Sequence, residues 1–444
     1  MKIFFRQLAA GYGRLIVLLL LGAIFSGLTL RQQPATGAAA AGRLVRQLAA
    51  ELPPSSRILI AVRPVPEERR FAAAVERAAA AAGLGVVATV AGEPRQLRQR
   101  LERCVAAADR PAAVVATERP ATWLVLTELD ELVPGLGGPV VVTPEPVLWP
   151  TFLKPANLLN IANQITVIAI IAIGMTIVII AGGIDLSVGS LAALAAVTAT
   201  LLIRDWAGAA AATPLGMLLA ATAAIALCGT AGAINGLVVT RFGVPPFIAT
   251  LAMMLVASGL ASMLSGGESI AEVPDGFVWL GRGIGLFGLP HAVVLLLVLY
   301  GLGHLLMTRT VFGRHLYAVG GNPQAARLSG VLVGRVIVLS YVACGLLAGL
   351  GGVILASQLK SGSPTYGSMY ELYVIAAVVV GGTSLAGGEG QMLGTLVGAF
   401  VIAVIQNGMN LTGVESYTQK VVLGLVILGA VLVDRFRRRL GGFR

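Results

Sequence analysis

Two long apolar runs joined by a short polar turn decide the fold of this chain. They lie in NQITVIAIIAIGMTIVIIAGGIDLSVGSLAALAAVTATLLI, residues 163–203. Each run approaches the roughly 20 apolar residues that an α-helix needs to cross a hydrocarbon core of about 30 Å. The chain of 444 residues is 57% hydrophobic and only 12% charged, whereas soluble domains carry about 25% charged residues. The sequence therefore predicts an α-helical polytopic membrane protein.

The apolar runs predict about ten transmembrane helices. Residues 1–30 hold the first, which is either an uncleaved membrane helix, the interpretation we favour, or a secretory signal peptide. The other nine candidates are residues 163–181, 188–203, 214–239, 246–265, 290–308, 335–357, 371–384, 391–409 and 419–434.

The placement of basic residues predicts the orientation of these helices. Lys2, Arg6 and Arg14 lie before the first apolar run without any acid, so the positive-inside rule places the N-terminus in the cytoplasm. Ten passes then bring the basic tail, residues 435–444, to the cytoplasmic side as well. The arginines between residues 309 and 335 fall on that same side, which supports the predicted number of passes.

Residues 31–148 differ in composition from the rest of the chain. They hold 14 arginines and 12 of the 21 acidic residues. Short apolar runs at 57–62, 85–90, 112–117 and 139–143 indicate strands, and the patterns at 67–83 and 93–108 indicate helices. This alternation predicts a small parallel, Rossmann-like α/β domain. The predicted orientation places it outside the membrane, between the first and second helices.

Several function classes are excluded by what the sequence lacks. None of its lysines follows a glycine in the manner of a phosphate-binding loop, so we predict no nucleotide site. His291, His304 and His315 share no ligand-like spacing, so we predict no metal site. We identify no catalytic or cofactor-binding residue. The net charge of +11 reflects membrane topology and a solvated surface, and it does not indicate nucleic-acid binding.

The turn AGGIDLSVGS, residues 181–190, is the first candidate for function. Gly182 and Gly183 can end the preceding helix, and Asp185 or Ser187 can cap the next one. A carboxylate at membrane depth costs about 2.5–3.5 kcal/mol, and such residues are rarely idle. A role for Asp185 in gating or in contacts with a partner is therefore the alternative to a simple capped turn.

The second candidate is a segment between two apolar helices on the predicted cytoplasmic side. Asn322 is a good N-cap, Pro323 suits the first helical position and Gly330 is a natural stop. These residues predict one short helix over 323–329, with Arg327 exposed. The segment is either an ordinary solvated loop or a docking element, and it comprises Gly321, Asn322, Pro323, Gln324, Ala325, Ala326, Arg327, Leu328, Ser329 and Gly330.

The third candidate is a set of amides in a late helix, Gln406, Asn407 and Asn410. Such side chains can form hydrogen bonds between helices. Alternatively, they can line a polar substrate path.

Four segments, in this order, resemble the membrane permeases of ribose/xylose-type ABC importers, within the branched-chain amino acid and sugar permease superfamily. They are GMTIVIIAGGIDLSVGS (174–190), AVGGNPQAARLSGV (318–331), AAVVVGGTSLAGGEGQMLGTLVGA (376–399) and NGMNLTGVESYTQKVVLGLVILGAVLVD (407–434). The resemblance covers residues 152–434, which it identifies as the ABC permease transmembrane domain.

The resemblance implies a transport subunit of the bacterial inner (plasma) membrane that is not itself an enzyme. Its partners would be a cytoplasmic ABC ATPase, which holds ATP and Mg²⁺, an extracytoplasmic solute-binding protein, and a second copy or a paralogous permease. Residues 321–330 would dock the ATPase, and AGGIDLSVGS would be the signature turn of the family. The solute would be a monosaccharide such as ribose or xylose, moved by alternating access. Nucleosides, autoinducer sugars and amino acids are alternatives.

Two further points limit the resemblance. The domain at residues 31–148 replaces a loop that is short in the family, and it is similar to one lobe of the periplasmic sugar-binding proteins. It is a docking platform, a half-site completed by a partner, or an insertion without a role. An ion-coupled secondary transporter is the alternative class, and it would need several intramembrane acids. The sequence suggests only Asp185.

Overall fold

The structure, a computed structural model, describes residues 2–33, 35–285 and 288–441. These residues form two compact units. Leu30–Pro150 is one of them, which we call the α/β unit. The described residues on either side of it form the other, the membrane unit, which begins with helix α1 (Lys2–Leu28).

The α/β unit is built on a parallel sheet of four strands, with an antiparallel ribbon of two strands at its ends. The four predicted strands and the two predicted helices lie within two residues of their predicted bounds, whereas the ribbon, α2 (Ala38–Glu51) and the short helices α5 to α7 (residues 118–132) were not predicted. The ribbon pairs its first strand with its last, so that Leu30 lies opposite Pro150. The sheet has the order β3-β2-β4-β5. The elements are β1 (Leu30–Gln33), α2 (Ala38–Glu51), β2 (Arg57–Val62), α3 (Pro66–Ala81), β3 (Gly85–Ala91), α4 (Pro94–Ala106), β4 (Ala113–Ala116), α5 (Glu118–Ala121), α6 (Leu124–Thr127), α7 (Leu129–Leu132), β5 (Val140–Val142) and β6 (Val147–Pro150).

The central strand β2 is buried on both faces, which explains its unbroken apolar sequence. Ile58 and Ile60 point to a core shared with α2 and α3, whereas Leu59 and Ala61 point to a core shared with α4 and α6. All four side chains are fully buried. The sheet is therefore the middle layer of three.

The membrane unit is almost entirely helical. Seven of its described helices, namely α8, α9, α10, α11, α13, α16 and α18 as bounded below, are long and apolar enough to cross a membrane. Gly13–Leu28, Tyr370–Val380 and Ser416–Gly429 are shorter apolar stretches. The helices are α8 (Pro155–Ile180), α9 (Val188–Asp205), α10 (Pro214–Arg241), α11 (Pro246–Ser265), α12 (Trp279–Arg282), α13 (His291–Arg309), α14 (Val311–Gly321), α15 (Pro323–Leu328), α16 (Val333–Leu359), α17 (Tyr370–Val380), α18 (Met392–Leu411) and α19 (Ser416–Gly441).

Glycines allow close packing between α10 and α16. A Cβ added at Gly236 would lie 2.7 Å from the Cα of Val338, and one added at Gly349 would lie 2.9 Å from the Cα of Ile225. Larger side chains cannot fit at such separations without moving the backbone. The paired small residues thus bring the two helices together, as they do in other membrane bundles.

Three helices differ by several residues from their predicted bounds. The helix predicted at 163–181 begins earlier, as α8 at Pro155. The helix predicted at 371–384 is α17, which has 11 residues and ends at Val380. At 1.5 Å per residue it is about 16 Å long, too short to cross a hydrocarbon core. The helix predicted at 419–434 continues as α19 to Gly441. The predicted tail at 435–444 is therefore helical as far as it is described, and residues 442–444 lie outside the described residues.

Candidate translocation path and coupling site

The turn after α8 begins with two glycines that end the helix. Gly182 has a left-handed backbone (φ +88°), and the amide of Gly183 donates to the carbonyl of Val178 over 2.9 Å. This is the glycine-dependent ending of a helix in which amides beyond the last turn bond back to its free carbonyls. The predicted helix stop is therefore confirmed at these residues.

Asp185 lies fully buried in this turn. Its Oδ1 accepts hydrogen bonds from the amide (2.9 Å) and the hydroxyl (2.6 Å) of Ser187. The hydroxyl of Ser187 in turn accepts from Nδ2 of Asn235 on α10 over 3.2 Å. The Cys344 thiol lies beside the carboxyl group, while Oδ2 has no hydrogen-bond partner among the described residues. Asp185 thus orders the turn through one oxygen only.

The turn also carries Asp185 back into the bundle. Gly174 of α8 packs on Cys344, since a Cβ added there would lie 2.6 Å from the Cα of Cys344. Gly174 lies six residues before Ile180, the end of α8, which is about 9 Å along the helix axis. Because Asp185 also neighbours Cys344, it lies well above the end of α8. The structure therefore places the carboxyl group inside the helical bundle of the membrane unit.

The predicted docking segment forms the expected helix, α15. The side chain of Asn322 accepts hydrogen bonds from the amides of Gln324 and Ala325, both at 3.0 Å. Pro323 is the first helical residue, and Gly330 has a left-handed backbone (φ +85°). Arg327 is exposed, as expected. The sequence did not single out Leu328, whose side chain is 90% exposed.

Three segments meet at one end of the bundle. They are the signature turn, the docking segment and the glycine-rich stretch 381–391, which follows α17 and belongs to the third segment of the family resemblance. The amide of Gly388 donates to the carbonyl of Ile180 over 2.9 Å, and a Cβ added at Gly388 would lie 2.8 Å from the Cα of Gly321. A Cβ added at Gly387 would lie 3.1 Å from the Cα of Gly182. The glycine-rich stretch therefore links the docking segment to the signature turn, backbone against backbone.

Arg14 also lies near this cluster. A Cβ added at Gly394 would lie 3.5 Å from the Cζ atom of Arg14, and Gly382 lies close to the same guanidinium group. From the sequence alone, Arg14 indicated only the orientation of the first helix. Its position shows that α1 packs on the start of α18, with the guanidinium group of Arg14 against Gly382 and Gly394.

The chain between α16 and α17 returns into the bundle along α9. A Cβ added at Gly362 would lie 3.0 Å from the carbonyl carbon of Ala196, and one added at Gly367 would lie 3.3 Å from the Cα of Gly189. Ala196 and Gly189 are about 10 Å apart along α9. Residues 361–369 are therefore non-helical, turn-rich chain inside the membrane unit. Such backbone is tolerated at membrane depth where protein covers it or where it lines a watery cavity.

This returning chain forms one wall of a cavity of about 450 Å³ that is lined by both polar and apolar residues. That volume falls in the range of about 300–1,000 Å³ that small-molecule sites occupy. Helices α9 and α11 supply the other walls. The polar side chains that line it are Ser190, Ser258, Ser262, Thr365, Tyr366, Ser368 and Glu371.

Glu371 is an acid that the sequence analysis did not place inside the membrane. It lies in the first turn of α17, and a Cβ added at Gly189 would lie 2.6 Å from its Oε2 atom. Gly189 belongs to the first turn of α9, just beyond Asp185. Glu371 is therefore a second acid beside the start of α9, in addition to Asp185, and it is half-buried. No described lysine, arginine or histidine forms an ion pair with Glu371.

The three amides predicted for a path lie on α18, away from this cavity. Asn407 exchanges two hydrogen bonds of 3.0 Å with Asn157 of α8. The side chain of Asn410 accepts from Nε2 of Gln419 over 2.8 Å, and Gln406 is half-buried. Asn407 thus has the interhelical bonding that was the alternative interpretation.

The α/β unit contains a buried acid of its own, Glu68. Its two oxygens accept hydrogen bonds from the Arg63 amide (2.8 Å), the Arg63 Nε (2.7 Å) and the Thr117 hydroxyl (2.7 Å). Burial opposes ionisation, but these bonds outweigh it, so the pKa of Glu68 lies below its usual value. Arg63 and Thr117 follow strands β2 and β4, where a doubly wound sheet opens its ligand crevice. Here the acid and its partners occupy that position.

Comparison with known proteins points to one class. Residues 157–431 match the family described as "Branched-chain amino acid transport system / permease component". The ribose import permease RbsC of Escherichia coli K12 is 44% identical over 291 residues, 65% of this chain and 88% of that protein. RbsC of Bacillus subtilis 168 is 44% identical over 310 residues, 69% and 93% of the two chains. The galactose/methyl galactoside import permease MglC of Escherichia coli K12 is 35% identical over 300 residues, 65% and 89% of the two chains. No solved structure matches the chain.

The apolar helical fold and these matches together identify a membrane permease subunit. The chain belongs to the branched-chain amino acid transport system permease family. The match begins at residue 157, after the α/β unit. It includes the signature turn, the docking segment and the glycine-rich stretch.

Proposed function

We propose that this protein is the permease subunit of an ATP-driven importer of a monosaccharide, most closely ribose or another simple sugar. The observation that carries the proposal is the contact of Gly321, the first residue of the docking segment, with the glycine-rich stretch, which in turn touches Gly182 in the turn that holds Asp185. A cytoplasmic ATPase that moves α15 would displace Gly321, and with it Gly388 and the signature turn. The relatives named for ribose and galactose import support a sugar as the solute.

The cavity supplies the path in this proposal. Its polar groups are accompanied by Leu255, which is 66% exposed. Hydroxyl and carboxyl groups at membrane depth face a bundle interior or water and do not face lipid. We infer that a second permease subunit, either an identical chain or a paralogue, covers α11 and closes the path. Alternating access would then open it to one side at a time.

The ATPase contact would use an apolar anchor as well as charge. Leu328 is almost fully exposed on a capped helix, where burial against a partner groove would be favourable by about 1.5–3 kcal/mol. Arg327 beside it suits an acidic rim on the partner. Leu328→Ala and Arg327→Glu should each lower transport and ATPase coupling by about tenfold or more while the chain still inserts. Leu215→Ala, which removes a 64% exposed leucine from the other end of the bundle, is the matched control.

The deciding experiment is uptake of labelled D-ribose, D-xylose and D-galactose by cells that express the chain with its ATPase and binding protein. We expect uptake to stop when the ATPase is inactivated and to persist when an uncoupler collapses the proton gradient. The reverse pattern would identify an ion-coupled secondary transporter. Uptake of nucleosides, autoinducer sugars or amino acids instead of monosaccharides would keep the class and change the solute.

We propose ten passes, in which α17 and the turn-rich residues 361–369 together make one crossing. Both termini are then cytoplasmic and the α/β unit is extracytoplasmic, in a bacterial inner membrane. Arg241, Arg327 and Arg335 fall inside, in agreement with the positive-inside rule. A cysteine replacing the exposed Glu93 should react with a membrane-impermeant thiol reagent in intact spheroplasts. Labelling only after lysis would reverse the orientation.

The α/β unit would act as a docking platform for the solute-binding protein and not as a ligand half-site. Glu68, Arg63 and Thr117 already occupy the position of the ligand crevice. All the hydrogen bonds that Glu68 accepts, as described above, come from residues of the same unit. Replacing residues 30–150 by a short glycine–serine linker should leave the membrane unit inserted but reduce uptake that depends on the binding protein. Unchanged uptake would show that the unit has no role in delivery.

A further inference from the structure

We propose that Glu371 binds the hydroxyl groups of the transported sugar inside the cavity and thereby contributes to the choice of solute. The inference rests on the proposed function. Glu371 is the first residue of the helix predicted at 371–384, so the sequence alone placed it at the end of a membrane span. Only the tertiary structure shows that it lies beside α9 and lines the cavity.

Among the described residues, the carboxylate of Glu371 has no hydrogen-bond or ion-pair partner on another element, and it accepts a hydrogen bond from its own backbone amide. Its side chain lines the cavity, is half-buried and pairs with no cation in the described chain. Desolvating a carboxylate without a partner is costly, so its retention at this place calls for a ligand. The N-terminus of α17 favours negative charge there through the helix dipole, which holds the acid without any cation.

The other groups in the cavity match a polyol. Ser190, Ser258 and Thr365 present hydroxyls that both donate and accept, and Tyr366 adds an aromatic ring. A carboxylate that accepts from sugar hydroxyls forms charge-assisted hydrogen bonds, which are stronger than neutral ones. A cation as ligand is disfavoured, because the described residues contain no group of three or more acidic, histidine or cysteine side chains that could hold a metal ion.

The position of Glu371 on α17 also connects it to the coupling cluster. Its helix has 11 residues, and the chain beyond Val380 is the glycine-rich stretch that touches Gly321. A displacement of the docking segment would therefore be passed along a rod of about 16 Å to the carboxylate in the cavity. Release of the sugar would follow when Glu371 moves away from the serines of α9 and α11.

The test compares Glu371→Gln with Glu268→Gln, an exposed acid outside the cavity, in the uptake assay with D-ribose and D-galactose. Loss of a charge-assisted hydrogen bond should lower uptake by Glu371→Gln about 10- to 100-fold, with Glu268→Gln unchanged. The wild type should discriminate against deoxy-sugars that lack the bonded hydroxyl, and Glu371→Gln should lose that discrimination. If the role of Glu371 were purely structural, Glu371→Gln would lower the uptake of D-ribose and of D-galactose by the same factor.

A second measurement does not depend on the variant folding. In Ser258→Cys, D-ribose or D-galactose at millimolar concentration should slow the reaction of the cavity thiol with maleimide. Equal uptake and equal discrimination in Glu371→Gln and wild type, or no protection of the thiol, would overturn the assignment of Glu371. Wild type that transports no monosaccharide at all would instead overturn the proposed function.

Discussion

Acidic side chains have opposite surroundings in the two units of this chain. In the α/β unit, Glu68 is 4% exposed, and both its oxygens are bonded, with Arg63 as counter-ion. In the membrane unit, Asp185 is fully buried with one free oxygen, and Glu371 lines a cavity without a described cation. A buried carboxylate whose hydrogen-bond donors and counter-ion are all present stabilises the fold of its own unit. The acids without counter-ions lie where the membrane unit would move or meet its solute.

The largest effect is expected when the counter-ion of Glu68 is removed, because this acid would then be as unpaired as the acids of the membrane unit. Arg63→Met leaves a buried carboxylate and should destabilise the α/β unit by about 2–3 kcal/mol, less than for a fully buried pair because the Arg63 side chain is 35% exposed. The readout is urea-dependent labelling of Cys104, which is buried in this unit. Arg98→Met, which removes an exposed pair with Glu102, is the control and should cost under 1 kcal/mol. Simultaneous exposure of Cys228 would show that the units do not unfold separately.

A smaller effect is expected from Asp185, because only one of its oxygens is engaged. Asp185→Ala leaves the Ser187 amide without its acceptor and should destabilise the membrane unit by about 1–2 kcal/mol. Asp185→Asn keeps an oxygen acceptor in the same place and should retain most of the stability. The buried thiol of Cys228 reports the transition in detergent, followed by mass spectrometry of the labelled cysteine. Equal losses in both variants would mean that the charge itself, and not the turn, stabilises this unit.

The smallest effect is a dependence on pH that is confined to the α/β unit. The pKa of Glu68 is lowered on folding from its ordinary 4.5, so its ionised form stabilises the folded unit. That contribution is complete above pH 4.5 and is lost as the pH falls through the lower, native value. Glu68→Gln should therefore flatten the acid limb of Cys104 protection relative to wild type. Glu118→Gln, at an exposed site on α5, should keep the wild-type slope.

Local rules account for what the sequence predicted well. Asn322, Pro323 and Gly330 specify α15 through contacts within a few residues, and Gly182 and Gly183 end α8 in the same way. The strands of the α/β unit were predicted because their apolar runs are bounded by turn residues. In each case the deciding interactions span fewer than ten positions of the chain.

Long-range contacts explain what the sequence analysis missed. The depth of Glu371 depends on residues 361–369 running back along α9, which no local pattern encodes. Asn407 bonds to Asn157, which lies 250 positions away in the sequence. The partner of Glu68 at Thr117 is equally invisible before the sheet brings β2 and β4 side by side.

The ribbon that joins β1 to β6 has a consequence for how this gene can change. Because Leu30 lies opposite Pro150, and the amide of Thr151 bonds to the carbonyl of Thr29 over 3.0 Å, the chain leaves and rejoins the membrane unit at a single point. A coding segment for a whole domain can then be gained, exchanged or lost in one recombination event, while the transport machinery keeps an unbroken reading frame and an unaltered set of helices. The site is correspondingly a natural graft point for other binding modules.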